Sequence, residues 1–186
     1  MRLLFLLIAG IQTCLSFGQQ TAFTQTSCFA GYTYINMVNK PYNQYTPQPG
    51  ATVGFGLNIK KSWLNFQATY IPFEAKSLPT FNSFLVTLGY QKQYTHPSGW
   101  YVSAGVKLGN HMMQFNDKNV SDNLITESEL LLGYGLQTGW QKHKLGVFAA
   151  CDRNITYTLH RFIFLQISAG LRYQLNTPKL LNRFIQ

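Results

Sequence analysis

The stretch "SAGLRYQL" (168–175) decides how this chain is read. Ala169, Leu171, Tyr173 and Leu175 alternate with Ser168, Gly170, Arg172 and Gln174, so an apolar face backs a small or polar one. A period of two belongs to a β-strand, whose successive side chains point to opposite sides. The open question is whether the apolar face meets a protein core or lipid.

The same alternation recurs upstream, and almost no helical period is found past residue 26. Eight segments carry it: residues 27–36, 50–59, 62–73, 81–94, 99–109, 124–140, 144–153 and 161–175. In the second, Val53, Phe55, Leu57 and Ile59 oppose Thr52, Gly54, Gly56 and Asn58. In the fifth, Trp100, Val102, Ala104, Val106 and Leu108 oppose Tyr101, Ser103, Gly105 and Lys107. In the sixth, Leu130, Leu132, Tyr134, Leu136 and Trp140 oppose Glu127, Glu129, Gly133, Gly135 and Gln137. Most segments reach the 9–11 residues that a tilted strand needs to cross a bilayer.

Connections between them alternate long and short. The short ones fall at Lys60–Lys61, at "HPSG" (96–99) and around Lys142–His143; the long ones are 37–49, 74–80, 110–123 and 154–160. An up-and-down outer-membrane barrel has this layout, with short periplasmic turns and longer external loops. With an even strand number, both chain ends lie on the periplasmic side.

Composition favours lipid over a soluble core. Of 186 residues only 11% are charged, against about 25% in an average soluble domain. The polar faces are mainly Gly, Gln, Ser and Thr, which suits a narrow lumen better than a water-facing wall. Trp63, Trp100 and Trp140 lie near strand ends, where membrane-interface girdles collect aromatic residues. No later run of 18 apolar residues exists, so any crossing must be made by a closed barrel. The expected fold is an all-β, eight-stranded antiparallel up-and-down transmembrane barrel in the outer membrane of a Gram-negative bacterium. A secreted soluble barrel or sandwich is the alternative.

Residues 1–18 read as a secretory signal peptide. Arg2 is followed by an apolar run over 3–11, and Ser16 and Gly18 precede a cut before Gln19. A lipoprotein reading through Cys14 is disfavoured by Ile11 and Thr13 before it. The barrel is expected over 19–176 and a periplasmic tail over 177–186. Loss of Arg2 takes the net charge from +9 to +8. Cys28 and Cys151 remain, on opposite ends of strands about 15–20 Å apart. A disulfide would contradict that map, because bridged Cα atoms lie within about 7 Å.

No catalytic, cofactor or metal site is expected. His96 and His143 fall in short turns, and His111 and His160 in long loops, without metal-ligand spacing. A lipid-modifying barrel enzyme would need a nucleophile, a base and an orienting group in reach. His111, Ser121 and Glu127 come nearest to that at one loop. Lys107, Glu127, Glu129 and Arg172 are expected to point into the lumen as a structural charge network. The basic residues are spread over both ends without aromatic interleaving, so no direct nucleic-acid contact is expected.

The closing strand also resembles the signal by which outer-membrane barrels engage the barrel-assembly machinery, a polar–x–Gly–x–x–aromatic–x–apolar pattern. Ser168, Gly170, Tyr173 and Leu175 fill its positions. That signal normally ends a protein, whereas "NTPKLLNRFIQ" follows here. Leu180, Leu181, Phe184 and Ile185 share one face of a short helix if the tail is helical, a candidate partner-docking peptide.

Residues 130–176, from "GYGLQTGWQKHKLGVFAACDRNITYTLHRF" to "GLRYQLN", resemble the TraO family of conjugative-transposon transfer proteins of Bacteroidota. The resemblance implies a structural outer-membrane component of a conjugative DNA-transfer apparatus, partnered by other transfer proteins. A generic small barrel for membrane integrity or adhesion is the alternative.

Overall fold

The computed structural model describes residues 23–38, 44–59, 62–75, 79–116, 125–157 and 161–176. The signal peptide, Lys60–Lys61, Ser121, His160 and the tail with Leu180, Leu181, Phe184 and Ile185 lie outside them.

Strands β1 (Phe23–Met37), β2 (Tyr45–Pro47), β3 (Gly50–Ile59), β4 (Ser62–Ala75) and β5 (Thr80–Thr95) are followed by β6 (Trp100–Asn116), β7 (Ile125–Lys142), β8 (Leu145–Thr156) and β9 (Phe162–Asn176). Every neighbouring pair is antiparallel, and β4 pairs with β5 as well as β3. That last pairing closes eight long strands into a barrel and removes its edges. The β1–β9 seam joins the two ends of the chain from Gln25↔Asn176 to Met37↔Phe164.

The short β2 is an extension of β3 along the rim of β4. Pro47 lies opposite Phe73, Gln48 N–H donates to the Pro72 carbonyl at 2.9 Å, and Ala51 lies opposite Tyr70. Pro47 and Pro49 have no N–H to give the ladder, so the strand breaks there instead of running on. Part of the expected 37–49 loop is therefore strand.

The β5–β6 and β7–β8 turns, the facing ends of β3 and β4 and both ends of the described chain lie at one end of the barrel, the turn end. The strand ends that lead into the long connections lie at the other, the loop end. Gly99 closes the β5–β6 turn at φ 94°, accepting from Gln141 N–H at 2.9 Å. A Cβ there would collide with the Gln141 carbonyl oxygen. His143 occupies the β7–β8 turn at φ 54°.

Strands run further toward the loop end than the alternation suggests. Residues 110–116 extend β6, and Asn154 to Thr156 extend β8, where loops were expected. The cause is the lumen. Inward positions of these extensions are Met113, Asn154, Thr156 and His111, whose polar members find partners on nearby strands and so hold the ladder.

The alternation of "SAGLRYQL" resolves as two walls. Ile167, Ala169, Leu171, Tyr173 and Leu175 face outward and are exposed, while Ser168 and Arg172 are buried inside. The outer face elsewhere is equally apolar: Val53, Phe55, Val106, Leu136 and Leu145 are each exposed. Trp100 and Trp140 lie opposite one another on that wall at the turn end, as a girdle requires. Trp63 does not join them. It shares the inward parity of Asn65 and Thr69 and is buried in the lumen.

Candidate functional site

The lumen is built in three tiers. Nearest the loop end, Ile35, Ile71, Phe73, Phe81, Leu85, Met113, Leu131, Phe162 and Phe164 form a buried apolar cluster. Phe73 stacks on Phe81 with centroids 4.4 Å apart. Tyr45 of the β2 extension meets Phe81 edge-on at 5.0 Å. This tier stops the bore with side chains as a protein core does.

His111 sits beneath that cluster, fully buried. Its Nε2 pairs with Ser83 Oγ at 2.7 Å and its Nδ1 with Thr156 Oγ1 at 3.0 Å. Phe162 stacks on the ring at 5.7 Å. This corrects the expectation of a loop histidine near Ser121 and Glu127. β6 carries His111 into the lumen, Glu127 is exposed, and Ser121 is outside the described residues. Both imidazole nitrogens are taken by hydroxyls, so the ring is a crosslink between β5, β6 and β8.

The middle tier is polar. Lys107 Nζ donates to Asp152 Oδ2 at 2.9 Å and to Gln166 Oε1 at 3.4 Å. Asn154 Nδ2 donates to the same Gln166 oxygen at 3.0 Å. Gln166 Nε2 donates to Ser168 Oγ at 3.3 Å, and Ser168 pairs with Thr33 Oγ1 at 2.8 Å. The charged pair is thus tied on both sides, as burial demands. Its acid is Asp152, not a glutamate: Glu127 is exposed and Glu129 half-buried at the loop end, where β7 runs past the last residue of β8. Lys107–Asp152 is the ion pair of this tier. Asp152 was legible as an inward residue of β8, from its parity with Phe148 and Asn154, but its partner was not.

At the turn end the Arg172 guanidinium lies between two rings, 4.7 Å from the Trp63 centroid and 5.4 Å from that of Tyr101. Arg172 Nη1 donates to Gln93 Oε1 at 3.4 Å. The ring faces carry negative quadrupole density that offsets a desolvated cation. Two small polar cavities of about 20 Å³ each remain between the middle and turn-end tiers, both bordered by Asn65, Gln91 and Asp152.

Of the assembly-signal residues, Ser168 and Gly170 face inward, and Tyr173 and Leu175 face outward. Gly170 lies opposite Gly31 across the seam, and a Cβ on it would run into the Ala30 carbonyl oxygen. Cys28 and Cys151 are free and exposed on the outer wall, opposite Tyr173 and Ile167 of β9 respectively. Among the described residues no group of His, Cys, Asp and Glu is placed to hold a metal.

No family model matches the chain, and no curated protein matches it. Solved structures do. Ail, the attachment invasion locus protein of Yersinia pestis, superposes with a TM-score of 0.58 at 15% identity, over 82% of this chain and 99% of Ail. Neisserial surface protein A gives 0.58 at 12% identity, over 80% and 95%. OprG, an outer membrane protein of Pseudomonas aeruginosa, gives 0.50 at 10% identity, over 84% and 98%. At these identities the likeness is one of fold. Closed wall, apolar outer face and shared fold together make this chain a small eight-stranded transmembrane β-barrel of the outer membrane of a Gram-negative bacterium.

Proposed function

We propose that the protein is a sealed, non-catalytic barrel that acts through what its two ends and outer wall present, in membrane integrity or surface attachment. The observation that carries this is the filled lumen. The apolar tier fills the loop end, the charged pair is bonded within the middle tier, and the two polar cavities beside it are water-sized. A conducting or enzymatic role would need a continuous bore or a group able to meet substrate. His111 is walled in by Phe162, Phe164 and two hydroxyls.

Charge distinguishes the two ends. Among the described residues the loop end carries Glu74, Glu127 and Glu129 beside Arg153 and Arg161. The described turn-end strand termini and turns carry Lys92, Lys142 and Lys144 without any acid. The excess positive charge therefore favours anionic headgroups or an acidic partner on the turn side. Engagement of the barrel-assembly machinery through the β9 pattern belongs to the same reading.

Purified barrel in planar bilayers tests the sealed state: no steady conductance is expected, and a stable open level contradicts it. A gene deletion should alter detergent sensitivity or surface attachment while leaving conjugation frequency unchanged. A selective loss of conjugation would instead favour the transfer-apparatus role implied by the TraO resemblance, which rests on the sequence of residues 130–176.

A further inference from the structure

Arg153 faces the wrong way for a buried-network residue. On β8, Asp152 and Asn154 point into the lumen, so Arg153 stands exposed on the lipid-facing wall between Cys151 and Ile155. Its Nη1 donates to Tyr134 Oη over a long 3.4 Å, and no carboxylate pairs with it among the described residues. A cation on this face is unfavourable unless it reaches water or an anion, and the more so with depth.

An apolar groove of about 530 Å³ begins beside it. The groove follows the strand register across the outer wall. One lip is Ile155, Leu132, Leu108 and Leu88, each opposite the next. The other continues the row of Arg153 itself, through Tyr134, Val106 and Tyr90 to Leu64. Arg153 lies near the loop end of β8, and Leu64 near the turn end of β4. The groove therefore descends obliquely through the membrane. Four strand spacings give it a length of about 19 Å, against about 15 Å for one hydrocarbon leaflet.

The geometry points to a lipid site: a lipid of the loop-end leaflet whose headgroup is a net-anionic phosphate, that phosphate on the Arg153 guanidinium and one acyl chain along the groove. A guanidinium suits a phosphate because its parallel N–H groups match two oxygens. Tyr134 holds the guanidinium at the head of the groove, and the length fits a single chain lying in its own leaflet. This site stands on the membrane placement and does not depend on which role the barrel serves.

Native mass spectrometry of the full-length barrel tests it, after exchange into detergent with dioleoyl phosphatidic acid or dioleoyl phosphatidylcholine. Heat-modifiable migration verifies that each variant is folded. Wild type should retain phosphatidic acid about tenfold over phosphatidylcholine, and Arg153→Gln should abolish that preference. Leu108→Trp, which fills the groove, should reduce retention of phosphatidic acid with Arg153 intact. Val53→Trp, on the outer wall away from the groove, should change nothing. Should Arg153→Gln fail to fold, Arg153→Lys keeps the charge without the planar fork and should lose several-fold. Undiminished retention in the Arg153 variants, equal retention of both lipids, or an equal loss in Val53→Trp would each overturn the assignment.

Discussion

Lys107 Nζ and Asp152 Oδ2 meet at 2.9 Å inside the lumen, bridging β6 and β8 over Gly133 and Gly135 of the intervening β7. Their side chains are 9% and 12% exposed, so neither charge is left to bulk water. Removing one partner strands the other. Asp152→Ala should therefore cost about 3–5 kcal/mol of stability. The double variant Lys107→Met, Asp152→Leu should recover most of it. Urea unfolding in micelles, followed by loss of heat-modifiable migration, measures both.

Arg172 depends on aromatic faces where Lys107 depends on a carboxylate. Trp63→Ala removes a buried ring and the face beneath the guanidinium. It should destabilise the barrel by about 3–5 kcal/mol. Trp100→Ala, on the exposed wall, should cost much less by the same unfolding measurement.

The two left-handed turn positions predict opposite signs. Gly99→Ala places a Cβ against the Gln141 carbonyl at φ 94° and should destabilise by about 1–2 kcal/mol. His143→Gly relieves a side chain held at φ 54° and should stabilise by about 0.5–1 kcal/mol. Midpoint shifts in parallel unfolding curves check both.

Cys28 and Cys151 flank β9 opposite Tyr173 and Ile167, about 20 Å apart along that strand. Oxidation of the folded protein should leave both thiols free within one molecule. Both should react with a membrane-permeant maleimide and be shielded from a charged one in vesicles. An internal disulfide on a non-reducing gel would contradict the register.

The alternation of "SAGLRYQL" and of β3, β6 and β7 sorted inward from outward residues correctly because strand parity is a local property of the backbone. Turn positions were legible for the same reason. Lipid as the outer environment also followed from sequence, through the near absence of charge on both faces. What the chain could not reveal alone was how far each strand runs and who meets whom across the bore. β6 and β8 continue past their apparent ends because His111 and Thr156 meet over the intervening β7 and Asn154 meets Gln166 of β9, partners that the register and curvature of the wall bring together. Trp63 looked like a girdle residue from its place near a strand end. Packing against Arg172, more than a hundred residues away, accounts for its place inside. Local periodicity thus fixed the two faces of each strand, whereas closure and register chose the contacts that seal the lumen and left Arg153 at the head of an apolar groove.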